Sequence, residues 1–251
     1  MLIALGLVGL FVGVVSGFFG VGGGMLLIPI LLTLGFSMKA SIAMSVVQMV
    51  FSSVFGSYTN YKKGKLQINE GVWVGFGGVL GAIFGSFCTD ILPSFMLEYI
   101  FLALVSFAFF RVATSKKPGS DTKEGSFSKV TLFLIGVVIG TIAMMLGVGG
   151  SVMLTPVLIG FLHLSSKKAA TAGLFFVVFS SVTGLVYKLM AGTFNNLNLD
   201  ITYALILGVA SIVGVVSGIK LKDVVHDTRH KQFLLAMYVL IIVLTLNKIF
   251  M

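Results

Sequence analysis

Residues 1–38 read MLIALGLVGLFVGVVSGFFGVGGGMLLIPILLTLGFSM and contain no charged side chain. An α-helix needs about 20 mostly apolar residues to cross the hydrocarbon core of a bilayer, and this run is long enough. Four glycines within Gly20–Gly24 interrupt it, and each glycine inside a helix costs about 1 kcal/mol relative to alanine. The run therefore predicts an apolar helix at 2–19, a break at the glycines and a short helix at 25–36.

Similar uncharged runs recur along the whole chain. Of its 251 residues, 57% are hydrophobic and 10% are charged, whereas a soluble domain carries roughly a quarter charged residues. Residues without charge cover 1–38, 71–89, 99–110, 130–166, 169–187, 201–219 and 232–247. The runs are continuously apolar rather than alternating, which excludes membrane-spanning strands. We therefore expect an all-α integral membrane protein. The predicted helices after the first two cover 40–61, 70–90, 94–114, 129–146, 152–163, 168–190, 201–221 and 231–250.

The two halves of the chain share an ordered series of motifs. The cluster Gly20–Gly24 corresponds to Gly147–Ser151, and Pro29 and Pro156 follow the two clusters at the same distance. Further pairs at nearly the same offset are Lys39-Ala40 with Lys168-Ala169, Ser52-Ser53-Val54 with Ser180-Ser181-Val182, Gly56 with Gly184, Gly64 with Gly192, and Gly75, Gly81 and Gly85 with Gly208, Gly214 and Gly218. Transporter folds are commonly built from such internal repeats. We predict a first transmembrane repeat at 1–114, a linker loop at 115–128 and a second repeat at 129–251.

The distribution of Lys and Arg predicts the orientation, because basic loops stay in the cytoplasm. The loops rich in them hold Lys62, Lys63 and Lys65; Arg111, Lys116, Lys117, Lys123 and Lys129; and Lys220, Lys222, Arg229 and Lys231. The orientation leaves Lys39, Lys188 and Lys248 outside. Each half then contains one broken hairpin and three crossings, so the second repeat is inverted. We expect a multi-pass protein of the cell (inner) membrane, with both termini outside and the 115–128 loop inside. The sequence does not decide whether the hairpins cross fully or re-enter.

The two glycine clusters are the predicted site of solute binding. A broken membrane helix exposes backbone polar groups, which are tolerated only inside protein or beside a water-filled cavity. The following short helices would turn the positive ends of their dipoles towards the midplane, and two such ends would form an anion site. The candidate binding residues are Gly22, Gly23, Gly24, Gly149, Gly150 and Ser151, together with Ser45, Gln48, Ser52 and Ser180 on neighbouring helices. Pro29 and Pro156 are candidate hinges.

Helix packing is the competing interpretation of these residues. Small residues let membrane helices approach closely, and serines often bond the carbonyl groups of their own helix. The protein would then be channel-like, or an accessory membrane protein that binds no solute. Near the helix ends, Glu98 and Lys188 are expected to extend their charged groups to the membrane surface.

Other classes of function have no candidate residues in the sequence. The single cysteine, Cys88, allows no internal disulfide. No nucleophile–base pair or metal-ligand cluster appears, so no enzyme activity, metal or cofactor is expected. The glycine run lacks a P-loop lysine, and the cytoplasmic loops explain the net charge of +9 without nucleic acid. The expected partners are the lipid bilayer and a small anionic solute, and a homo-oligomer remains open.

The motifs together resemble the TauE/SafE family of membrane proteins, the sulfite-exporter-like permeases. The features that carry the resemblance are Gly20–Gly24 with Pro29, the stretch Lys39–Ser45, and their second copies Gly147–Pro156 and Lys168–Gly173. The resemblance implies a bacterial-type inner-membrane transporter for sulfite, sulfonates or related organosulfur anions. Members often have Thr-Ser where this chain has Met44-Ser45, which leaves room for a different substrate.

Overall fold

The computed structural model of the protein describes residues 1–20, 22–64, 68–114, 128–162, 166–224 and 227–250. Every regular element in these ranges is an α-helix. The helices are α1 Leu2–Phe19, α2 Gly24–Thr33, α3 Met38–Lys62, α4 Ile68–Ile91, α5 Ser94–Thr114, α6 Lys129–Leu146, α7 Ser151–Leu162, α8 Ser166–Met190, α9 Thr193–Asn196, α10 Ile201–Val224 and α11 Asp227–Phe250. The all-α prediction is confirmed, and the short α9 is the one helix here that the sequence did not predict. Except for Ser128, the predicted linker loop lies outside the described residues.

Eight of the helices in the described ranges are long and apolar enough to cross a membrane. They are α1, α3, α4, α5, α6, α8, α10 and α11, whereas α2 has only ten residues. Large apolar side chains cover their outer faces: Phe84, Phe107 and Phe110 are 59%, 60% and 64% exposed. Such a surface is compatible with lipid rather than with water. The protein is a multi-pass membrane protein.

Glycines allow close backbone contact along two pairs of parallel helices, α1 with α10 and α4 with α6. An added Cβ atom at three glycines of α1 would collide with the backbone of α10. The contacts are Gly9 with Leu207, Gly13 with Ser211 and Gly17 with Val215. Contacts between α4 and α6 follow the same pattern: Gly77 with Phe133, Gly81 with Val137 and Gly85 with Thr141. In each pair, one helix comes from the first half of the chain and the other from the second.

Helices α1 and α2 form a hairpin that returns to the end where it starts. Near the start of α1, an added Cβ atom on Gly6 would lie 3.8 Å from Cγ2 of Ile206. Beyond the end of α2, the Phe36 ring lies 6.3 Å from the Tyr203 ring. Both ends of the hairpin therefore lie beside the first residues of α10, and the turn of the hairpin lies inside the protein.

Helix α3 runs through the interior and carries polar residues to the turn of the hairpin. The side chain of Ser37 accepts a hydrogen bond from the backbone N–H of Ala40 at 3.3 Å, which caps the start of the helix. In its apolar window 78% of the residues are buried, the largest share among the candidate spans in the described ranges. It packs against α2, α8 and α10. Ser45, Gln48 and Ser52 on α3 are therefore enclosed by protein rather than by lipid.

Candidate functional site

The two glycine clusters are in direct contact inside the protein. A Cβ atom added to Gly22 would lie 3.5 Å from the Cα atom of Gly149 and 3.4 Å from Cγ1 of Val177. One added to Gly24 would collide with the carbonyl oxygen of Gly147 and with Oγ of Ser45. Glycine, which has no side chain, permits this close approach. The fold thus brings together the two breaks that the sequence places in opposite halves.

Each break ends a long helix and starts a short one. Gly20 caps the end of helix α1 and Gly147 caps the end of α6, with φ angles of 71° and 63°. Helix α2 starts after Gly23, whose φ angle is 84°, and α7 starts at Ser151. The first N–H groups of an α-helix have no acceptor within the helix, and this end carries a partial positive charge. The contact region therefore contains two positive helix ends.

Gln48 brings an unpaired amide to the first break. The side chain is fully buried, and neither Nε2 nor Oε1 has a hydrogen-bond partner among the described residues. A Cβ atom on Gly23 would lie 2.7 Å from Oε1 and 2.8 Å from Nε2, so the amide faces the glycine backbone directly. Leaving a buried polar group unpaired costs about 1–3 kcal/mol. The amide is thus available to a polar solute that reaches the break.

Two serines of α3 connect that helix to both breaks. Ser45 donates a hydrogen bond from Oγ to the carbonyl oxygen of Gly147 at 2.7 Å. Two turns further along, Ser52 donates to the carbonyl oxygen of Gly22 at 3.4 Å and to that of Met49 at 3.3 Å. The three candidate residues of α3, including Gln48, therefore lie along one path past the contact between the breaks.

The candidate serines of the second half have different surroundings. Ser151, at the start of α7, is buried, and its Oγ has no hydrogen-bond partner among the described residues. Ser180 donates to carbonyl groups of its own helix, those of Phe176 at 3.3 Å and Val177 at 3.4 Å. A hydroxyl group engaged in this way behaves as in many membrane helices. Ser151 is therefore the hydroxyl that a solute could recruit.

A phenyl ring, rather than an amide, faces the second break. A Cβ atom added to Gly150 would collide with Cε1 of Phe176 and lie 2.9 Å from Cγ2 of Ile139. Phe176 is fully buried. No shared motif marks this residue in the sequence. The signal that identifies it is the repeat offset at non-identical positions, because the offset that pairs Ser52 with Ser180 also pairs Gln48 with Phe176.

The candidate hinges occupy the same place in the two short helices. Pro29 is the sixth residue of α2 and Pro156 the sixth residue of α7. A proline lacks the N–H that would bond the carbonyl group four residues earlier, which in α2 belongs to Met25. Both short helices therefore lose one internal hydrogen bond. Bending at these positions remains a prediction.

The expectation that Lys188 extends its ammonium group to the surface is wrong. The side chain is fully buried, and Nζ has no hydrogen-bond partner among the described residues. Helix α8 ends next to α4 and the 191–197 segment, and the lysine lines a polar pocket together with residues of both. Glu98, by contrast, keeps part of its side chain exposed.

Known proteins similar to this chain are described as probable membrane transporters. Residues 5–245 match the family described as Sulfite exporter TauE/SafE. The probable membrane transporter protein YdhB of Bacillus subtilis is 25% identical over 178 residues, which cover 68% of this chain and 72% of that protein. A probable membrane transporter protein of Methanocaldococcus jannaschii is 23% identical over 243 residues, 92% of this chain and 89% of the relative. No solved structure matches the chain. Because the family match spans nearly the whole sequence and the helices fit a multi-pass protein, the chain belongs to the sulfite exporter TauE/SafE family of membrane transporters.

Proposed function

We propose that the protein is a secondary transporter of a small anion, such as sulfite, a sulfonate or a related organosulfur compound. Transport would proceed by alternating access around the place where the two glycine breaks meet. The observation that carries the proposal is the contact between Gly22 and Gly149, which brings two helix N-termini together inside the protein. Helix N-termini bind anions through their free N–H groups and their dipoles.

The helix ends at the breaks, with no carboxylate among the nearest described neighbours of the glycines, favour an anion over a cation. Gln48 and Ser151 provide buried groups that can donate hydrogen bonds and that have no partner in the described structure. No acidic residue is among the nearest neighbours of the break glycines in that same part of the chain. A cation would therefore meet positive helix ends without a carboxylate to balance it.

The proposed orientation places both termini outside and the basic loops in the cytoplasm of a cell with an inner membrane. One structural observation supports this orientation. Lys39 and Lys188, which the basic-loop pattern assigns to the outside, line one pocket at one end of the helices together with Asp90. A cysteine-accessibility experiment with a membrane-impermeant thiol reagent tests the orientation, using single cysteines at Ser37 and Lys220 in a protein whose own cysteine is removed by Cys88→Ala. The first should react from outside and the second should not.

The function is tested by replacing Gln48 with methionine, which keeps the volume and removes the amide. We expect saturable counterflow of radiolabelled sulfite into wild-type proteoliposomes loaded with unlabelled sulfite. Losing a hydrogen bond to a charged solute should reduce exchange by Gln48→Met about tenfold or more. The melting temperature should stay constant or rise, because the variant removes an unpaired buried amide.

A matched control lies on the outer face of the same helix. Val54 is 39% exposed, so Val54→Met should exchange sulfite at the wild-type rate. Flux without saturation would instead indicate a pore, and the absence of flux for all organosulfur anions would indicate an accessory protein. Full exchange by Gln48→Met would remove Gln48 from the site.

A further inference from the structure

A second polar site lies outside the glycine breaks. A pocket of about 200 Å³ opens where α3 begins and α4 and α8 end. Its polar lining residues are Lys39, Thr89, Asp90, Lys188, Thr193 and Asn196. None of them belongs to the candidate site described above. In the proposed orientation, this end of the protein faces the outside of the cell.

Lys188 is the feature of the pocket that demands a ligand. Its side chain is fully buried, and its Nζ has no hydrogen-bond partner among the described residues. Buried charges in proteins are normally paired, because an isolated ammonium group is costly to remove from water. Since the lysine lines the pocket, a molecule bound there can supply the missing counter-charge.

The acidic residue of the lining, Asp90, is shared with other groups and balances Lys188 only in part. The Asp90 carboxylate accepts a side-chain hydrogen bond from the Tyr187 hydroxyl. Its main-chain carbonyl oxygen accepts a hydrogen bond of 2.7 Å from Nζ of Lys39. The charges of Asp90 and Lys39 both act on Lys188. Two lysines and one aspartate thus line the pocket, and the lining carries an excess positive charge.

The remaining polar groups suit a small oxyanion. An ammonium group has three donors, and Thr193, which is 7% exposed, adds a hydroxyl group to the lining. Asn196 uses Nδ2 to donate to the carbonyl oxygen of Ala191 at 3.3 Å, which holds the loop that closes the pocket. An anion with several oxygen atoms could accept hydrogen bonds from Lys188 and Thr193 together.

We propose that this pocket binds a small oxyanion, such as sulfite or a short sulfonate, with Lys188 as its main counter-charge and Lys39 as the second. Its role as an outer docking site for the transported anion rests on the function proposed above, whereas the binding itself does not. A cleft lined by positive charge raises the local concentration of anions. The pocket would therefore capture the solute at one end of its path.

The test combines equilibrium binding of radiolabelled sulfite to the purified full-length protein with counterflow in proteoliposomes. Lys188→Met should raise the sulfite concentration that half-saturates binding about tenfold or more, because a charge-assisted hydrogen bond is lost. The maximal rate of sulfite exchange by this variant should equal that of the wild-type protein. Asp90→Asn removes the competing negative charge and should lower the half-saturation concentration. Lys248→Met is the matched control, because this lysine is exposed, belongs to the same end and does not line the pocket.

The outcomes separate the two proposals. Wild-type half-saturation in Lys188→Met, with normal exchange, would overturn the pocket and leave the transport proposal intact. Binding that Lys188→Met weakens, in a protein that exchanges no anion, would support the pocket and overturn the transport proposal. Lys188→Met should fold, since it removes an unpaired buried charge. If it does not, Asp90→Asn decides: an unchanged or raised half-saturation concentration would overturn the pocket.

Discussion

The two glycine breaks have the same backbone design but face different side chains. At the first break, Gly23 lies against the amide of Gln48, which has no partner in the described residues. At the second, Gly150 lies against the ring of Phe176. Both breaks place a helix N-terminus in the interior, so both can contribute a positive dipole. The first half therefore adds an amide group to the site, while the second half adds an apolar ring beside the hydroxyl group of Ser151.

Substitution of Gly24 is expected to have the largest effect, because it acts on the contact itself. In Gly24→Ala, the new methyl group would overlap the carbonyl oxygen of Gly147 and the hydroxyl group of Ser45. The backbone cannot yield there without separating the two breaks, so we expect neither sulfite exchange nor a monodisperse protein in size-exclusion chromatography. In the control Gly6→Ala, the Cβ atom would meet Ile206 at an ordinary 3.8 Å, and both measurements should match wild type. A normal Gly24→Ala protein would contradict the contact between the breaks.

Truncation of Phe176 tests whether the second break contributes packing rather than solute binding. Phe176 is fully buried, and Phe→Ala changes in a packed interior cost about 3–5 kcal/mol. We expect Phe176→Ala to lower the melting temperature strongly, in contrast to Gln48→Met. Phe107, which is 60% exposed on the outer surface, provides the control, and Phe107→Ala should melt closer to wild type. If Phe176→Ala melts like wild type but no longer exchanges sulfite, the assignment of packing to the second break is wrong.

The serines should show the smallest and most specific difference. Ser45 donates across to the second break at 2.7 Å, whereas Ser180 donates only within its own helix in the described structure. Hydrogen bonds between membrane helices contribute about 0.6 kcal/mol on average. Ser45→Ala should therefore lower thermal stability slightly and slow exchange, while Ser180→Ala should change neither. The reverse order in a thermal-shift series would assign the connection between the breaks to Ser180.

The sequence predicted the helices well because their limits have local causes. Uncharged runs define the spans, and the glycine clusters mark the breaks by conformational freedom that other residues lack. The predicted ends of α1, α5 and α6 agree with the structure, since a polar residue or a glycine stops each apolar run. The contact between the breaks was also expected, because the repeated motifs imply that both lie at a similar depth.

Residues whose roles depend on distant neighbours could not be predicted in this way. Lys188 lies near the end of an apolar helix, a position from which lysines usually reach the surface. Its burial depends on α4 and the 191–197 segment, and no periodicity in α8 reveals those neighbours. The position of Phe176 beside Gly150 was missed for a similar reason, because its side chain differs from that of its repeat partner Gln48.

The parallel glycine contacts constrain how such a protein could change shape. Helix α1 packs against α10, and α4 packs against α6, through backbone atoms with almost no intervening side chains. Sliding the N-terminal half as one block past the C-terminal half would break both of these helix–helix interfaces at once. The blocks that stay intact during a transport cycle should therefore be mixed in origin, one built around α1 with α10 and the other around α4 with α6. The moving blocks would then not coincide with the two halves of the sequence, and cutting the chain at its middle would not separate them.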